Sequence, residues 1–140
     1  MVSRGRIYRI DENPGFIATW NKKAVGLITY ELLGDECEIT SLNSLTERKG
    51  IGTALIDAVK EVAIQAECRR LLVITTNDNT QAFRFYQRYG FTIAIMYPNS
   101  MEEARKIKPE IPLTGNDDIP LRDEIEFEIH LKNRKEGSLC

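Results

Sequence analysis

Between positions 50 and 97 the spacing of apolar residues switches repeatedly between helical and strand period, and that switching admits few architectures. Leu55, Ala58, Val59, Val62, Ala63 and Ala66 recur at helical spacing, with Asp57, Lys60, Glu61 and Gln65 on the other side. This predicts one amphipathic helix over about 53–67. "LLVITT", at 71–76, is a short apolar and β-branched run, as expected of a strand covered on both faces. "NDN" follows, and Asp78 or Asn79 is a natural N-cap for a second helix in which Ala82, Phe85, Tyr86 and Tyr89 share a face. Gly90 ends that helix and "FTIAIMY" begins another strand. The pattern is that of an α/β layer with parallel pairing in its middle.

The first half carries short β-type runs separated by turn residues: "GFIATW", then "NKK", "AVGLITYELL", then "GD", and "ECEITSL". These predict an antiparallel meander. Beyond Tyr97 comes "PNSMEEARKIKP", a short helix bounded by prolines, and then an irregular stretch. "DEIEFEIHL" closes the chain with Ile125, Phe127 and Ile129 facing one way and Glu124, Glu126 and Glu128 the other. At 140 residues the chain is expected to be a single domain, 1–140. Within it, 1–15 is a short N-terminal segment, 98–122 a loop and helix insertion, and 132–140 a polar, frayed tail.

A net charge of -2 leaves no electrostatic footprint for nucleic acid. Cys37, Cys68 and Cys140 are odd in number and outside any C-x-x-C pair, and His130 is the sole histidine, so no metal site is expected and a reducing cytoplasm is the expected compartment. No stretch approaches the roughly 18 apolar residues of a membrane span, and "MVSRGRIYRI" lacks a signal peptide's apolar core.

The segment "TERKGIGTALI" spends Gly50 and Gly52 at a helix start, where glycine costs up to about 1 kcal/mol relative to alanine. Glycine lets a ligand approach the backbone, and the first amides of a helix are unpaired donors at the positive end of its dipole. Together they make an anion site to which Arg48 and Lys49 would add charge. An ordinary tight turn accounts for the same residues. The third glycine of a dinucleotide fingerprint and the G-K-[ST] of a nucleoside triphosphate loop are both missing.

A second stretch decides between these readings. Gly50 and Gly52 resemble the [QR]-x-x-G-x-[GA] motif of the GNAT superfamily of N-acetyltransferases. Asn79, Ala82, Tyr86, Gly90 and Phe91 fill the family's later motif, roughly N-x-x-A-x-x-x-Y-x-x-x-G-F, at every position. The resemblance covers about 16–131. It implies an α/β fold with a mixed, mostly antiparallel sheet, a central parallel strand pair splayed apart, and flanking helices. It implies acetyl-CoA or CoA as co-substrate, without a metal, its pyrophosphate on the amides of Arg48, Lys49, Gly50, Ile51, Gly52 and Thr53. The pantetheine arm would pair with the strand carrying Thr40, Ser41 and Leu42 as an added strand does. The amide near Leu42 would meet the thioester oxygen.

The resemblance further implies direct attack of a primary amine, from a small molecule or a peptide, on the thioester with both substrates bound. Tyr86 matches the family's general acid, although it shares an apolar face with Ala82, Phe85 and Tyr89 and could be core. Asn79 matches a pantetheine contact and could equally cap the helix. Glu36 matches a position where some members keep a base. Glu36 and Glu38 share parity with Thr40, so both could face the groove, or both could be solvated carboxylates. Cys37 has the opposite parity and reads as core, and His130 as a rim residue. Glu124, Glu126 and Glu128, with Asp117 and Asp118, suggest a cationic acceptor, although charges on an edge strand also deter sheet pairing.

Three features depart from the family pattern. Glu47 stands where Gln or Arg is usual. Only about 15 residues precede the meander, too few for the strand and helical hairpin that normally wall the acceptor site, so an open groove or a homodimer is expected. The 98–122 segment is long enough to shape a substrate site. The alternative function is a non-catalytic acyl-CoA-binding module.

Overall fold

The computed structural model describes residues 5–9, 14–44 and 50–131. They fall into two compact units, Met1–Leu71 with His130–Cys140, and Leu72–Ile129.

In the first unit β1 (Gly5–Arg9), β2 (Gly15–Trp20), β3 (Lys23–Leu33) and β4 (Glu36–Ser44) form an antiparallel meander in chain order. The β2–β3 turn places Asn21 and Lys22 at φ 53° and 66°, the left-handed pair that matches the twist of a tight hairpin. β1 is an element the sequence pattern does not announce, because five residues are too few for alternation to stand out. The predicted tail at 132–140 lies outside the described residues.

Helix α1 (Ile51–Gln65) lies two residues earlier than the expected 53–67; of the expected stripe it buries Leu55, Val59 and Ala63, with Ala58 and Val62 half-buried and Ala66 exposed, and it buries Ile51 and Ile56 as well. It approaches β3 closely at Gly26, where a Cβ would stand 2.8 Å from Ile51 Cγ2 and 3.0 Å from Leu55 Cδ1. Glu67 at φ 61° ends the helix, with the Cys68 amide donating to the Ala63 carbonyl at 2.9 Å. The chain enters β5 (Arg70–Thr76) through ion pairs of Arg69 with Asp35 and of Arg70 Nε with Glu36 Oε2, the latter at 2.7 Å.

In the second unit β7 (Glu124–His130) lies between β5 and β6 (Thr92–Tyr97) and runs antiparallel to β6. Helix α2 (Thr80–Tyr89) caps itself through Asn79 Oδ1, which accepts from the Ala82 amide at 3.1 Å. Phe127, fully buried, is the centre of an aromatic cluster, perpendicular to Phe83 at 5.2 Å and tilted against Tyr86 at 5.7 Å.

Two expectations are corrected here. β7 is an interior strand and β6 is the edge, since alternation identifies the faces of a strand but not its lateral neighbours. The glutamate face is accordingly not a solvated acidic surface. Glu126 is 3% exposed and accepts from the Tyr97 hydroxyl at 2.7 Å, and Glu124 and Glu128 are half-buried.

The 98–122 segment is built rather than irregular. Helix α3 (Ser100–Ile107) leads into a narrow hairpin, in which the Leu121 amide donates to Leu113 and the Gly115 amide to Ile119, both at 2.9 Å. A tight turn closes it with Asp117 and Asp118 at φ 56° and 60°.

The close approach at Gly26 makes it sensitive to bulk. Gly26→Val is expected to destabilise the protein by about 1–3 kcal/mol through overpacking, read as a lower urea midpoint at unchanged slope.

Candidate active site

In the first unit, α1 begins at Gly50, which is left-handed at φ 65° and ψ 26°. A Cβ there would meet no atom within 4 Å, so the backbone angle alone calls for glycine. No side chain caps this end and the first turn holds no acidic residue. Among the described residues no side chain takes up its leading amides, which are donors at the positive end of the dipole. Ile51 is 6% exposed with its side chain packed under Gly26, so only its backbone can face a ligand. Gly52 and Thr53 complete the first turn, Thr53 exposed. This donor set fits a pyrophosphate. Arg48, Lys49 and Glu47 lie outside the described residues.

β4 carries a bulge. Ser41 pairs with Thr29 and Ile39 with Tyr30, leaving Thr40 as the extra residue. The Thr29 hydroxyl shares hydrogen bonds with those of Thr40, at 2.7 Å, and Ser41, at 2.5 Å. The bulge interrupts the alternation on which the shared parity of Glu36, Glu38 and Thr40 was reckoned. Thr40 is exposed, Ser41 and Leu42 half-buried.

Glu36 and Glu38 are half-buried upstream of the bulge. Glu36 is engaged by Arg70 at 2.7 Å and by Arg69 at 3.7 Å, charge-assisted partners that already occupy its carboxylate. Cys37 is fully buried, and that burial, with Cys68 nearby, pushes its thiol up to about 12. A thiol in that state is core, not nucleophile.

In the second unit, α2 supplies Asn79 and Tyr86. The Asn79 carbonyl oxygen is used by the cap, which leaves its amide NH2 to donate to a ligand. Tyr86 is 7% exposed, held by Phe91 at 5.5 Å and Phe85 at 5.7 Å as well as Phe127. Burial pushes its phenol up to about 12. The ring is core and the hydroxyl remains protonated at neutral pH.

Asp78 is a residue that sequence reasoning treated only as a possible cap. It is 5% exposed, and its carboxylate accepts from the Thr76 hydroxyl and from both the backbone and side-chain N–H of Asn116, each of the latter at 2.9 Å. Burial pushes this carboxyl up, but the hydrogen bonds from Thr76 and Asn116 outweigh it and hold the group below its ordinary value. The available signal was the pairing of "NDN" with "TGNDD", two clusters of short polar residues suited to side-chain-to-backbone bonds.

The α/β class, with a mostly antiparallel sheet and one parallel pair, is shared with solved acetyltransferases. An IAA acetyltransferase from Bacillus cereus aligns with a TM-score of 0.72 at 22% identity, over 93% of this chain and 80% of that one. A GNAT family acetyltransferase from Elizabethkingia anophelis, solved with acetyl-CoA bound, aligns at 0.74 and 20%, over 93% and 78%. The model of the acetyltransferase (GNAT) family matches residues 3–91. The uncharacterized protein YdhI of Bacillus subtilis is 49% identical over 127 residues, 90% of this chain and 79% of that one. The chain belongs to the GNAT acetyltransferase family.

If the left-handed angle is what requires Gly50, alanine there costs about 1–2 kcal/mol of stability. The thermal midpoint of Gly50→Ala should fall, while Gly50→Asn, which tolerates that angle, should recover part of the loss.

Proposed function

We propose that this domain transfers an acetyl group from acetyl-CoA to a primary amine of a small molecule or peptide, by direct attack with both substrates bound. The observation that carries the reading is the start of α1, where Gly50 turns the chain left-handed and, among the described residues, the leading amides have no side-chain cap and the first turn no acidic residue. The amides from Gly50 to Thr53 would hold the pyrophosphate, with Arg48 and Lys49 adding charge. The β4 residues Thr40, Ser41 and Leu42 would pair with the pantetheine arm, and Asn79 would donate to it.

The amine lone pair attacks the thioester carbonyl carbon; the C–N bond forms, the C–S bond breaks, and the thiolate takes the proton of the Tyr86 hydroxyl. The amine's own proton leaves to a carboxylate directly or through water. The two candidates are Glu36, which arginine side chains hold, and Glu38, which has polar partners of its own. The reading takes the reaction to be cytoplasmic, a compartment that would keep the buried thiols of Cys37 and Cys68 reduced.

A homodimer is part of the reading. The edge strand β6, "TIAIMY", carries no charge to deter pairing and leaves Ile93, Ile95 and Met96 exposed. Sedimentation should give twice the monomer mass, and Ile95→Lys should return the monomer. The second reading, a non-catalytic acyl-CoA-binding module, is favoured by one observation, the commitment of Glu36 to ion pairs.

Release of free thiol from acetyl-CoA across spermidine, an amino sugar and a lysyl peptide separates the two. Turnover with any of them supports the enzyme, and stabilisation by CoA without turnover supports the module. Tyr86→Phe should lower kcat about 100-fold. Because the phenol is pushed up to about 12, wild-type kcat should show no alkaline decline from this group below about pH 11. An equal rate for Tyr86→Phe at every pH removes the general-acid role.

A further inference from the structure

We infer that Thr29 is a positioning residue for the arm of acetyl-CoA: its hydroxyl gathers those of Thr40 and Ser41, and so fixes where β4 bulges and which way residues 40–42 face. The inference rests on the acetyl-CoA reading above, which gives Thr40, Ser41 and Leu42 to the pantetheine arm.

In a regular strand consecutive side chains point to opposite faces, so Thr40 and Ser41 could not share a partner. The bulge lifts that restriction. Thr29 pairs with Ser41 and Tyr30 with Ile39, which leaves Thr40 as the residue in excess. The Thr29 hydroxyl then lies 2.7 Å from Thr40 Oγ1 and 2.5 Å from Ser41 Oγ. Thr29 itself is half-buried on the face of β3 away from Ile28 and Tyr30, which are both buried.

The flanking β4 residues, Ile39 and Leu42, carry no hydrogen-bonding side chain. A bulge moved by one residue toward either end would set one of them against Thr29 and lose a hydroxyl bond. The two bonds therefore select one position for the bulge. That position matters to a ligand laid along β4, because backbone N–H groups alternate between the two edges of a strand and a one-residue slip exchanges them. An arm that adds as a strand reads those amides. Pinning the bulge keeps the amide near Leu42 aimed at one point, as a preset donor to the thioester oxygen requires.

The cluster also has a proton to give. Three hydroxyls bring three protons, and the two bonds use two of them. When Thr40 holds the third it faces outward, because Thr40 is exposed, and an amide carbonyl of the arm can accept it.

Two variants test this. Thr29→Val keeps the shape of the side chain and removes the hydroxyl, while Thr29→Ser keeps the hydroxyl and removes the methyl group. The readouts are the acetyl-CoA Kd by calorimetry and hydrogen exchange at saturating acetyl-CoA, followed at 40–42 and, as an internal reference, at 51–53.

Thr29→Val should weaken acetyl-CoA about tenfold, the size of one lost hydrogen bond. It should also lose ligand protection at 40–42 while keeping it at 51–53. Thr29→Ser should bind within about twofold of wild type and keep both protections. A Thr29→Val protein that binds and is protected like wild type overturns the proposal. Equal loss of protection at both segments also overturns it, since that marks a general disturbance of the unit. Thr29→Ser as weak as Thr29→Val assigns the effect to the methyl group and does the same. If wild type itself does not bind acetyl-CoA, the functional reading fails and this role falls with it, a result distinct from normal binding by wild type and Thr29→Val alike.

Discussion

The packing of α1 onto the meander through Gly26 is the contact on which the first unit depends. A helix needs about 8–10 Å between its axis and a neighbouring layer, set by the side chains at the contact. Removing one side chain from β3 at this point lets Ile51 and Leu55 descend into the core, where Leu55 is fully buried. Ile51 is the first residue of the helix, so the same descent fixes where the helix starts. Gly50 then turns the chain left-handed into the helix. One glycine provides the close packing and the other the turn, and the position of the helix start follows from both.

Tyr86 joins stability and chemistry in one side chain. Its ring belongs to the Phe91 and Phe127 cluster, and the burial that makes it good core also keeps its phenol protonated. The ring is core, and the general-acid role of the hydroxyl belongs to the proposal above. An ordinary phenol already holds its proton at neutral pH, so the rise to about 12 makes Tyr86 a weaker donor than an exposed tyrosine.

The helices and most strands were legible because they depend on local pattern. α1 and α2 follow from spacing, caps and Gly90, and the register of β3 with β4 differs from the expected alternation only at Thr40. What was not legible depends on lateral order or on bonds across long stretches of sequence. β7 read as an edge because an acidic face is what an edge usually needs, yet β6 covers that flank and Tyr97 donates to Glu126 Oε1. The hairpin at 113–121 has no periodicity at all. It is held by single polar groups, Asn77 and Asp78, whose partners lie some 40 positions away in the chain.

That separation gives the Asp78 attachment a place in time as well as in space. The chain between Asp78 and Asn116 is 38 residues long, about 2–8 s of synthesis at ordinary rates. Helix α2 carries its own cap and its own contact to Phe91, so it can form within that interval while the carboxylate is still hydrated. The hairpin follows α2 and β6, ahead of β7, and exchanges that water for its own N–H groups. With its own cap, helix α2 does not wait for the hairpin, whereas the hairpin needs the turn ahead of α2 for its attachment.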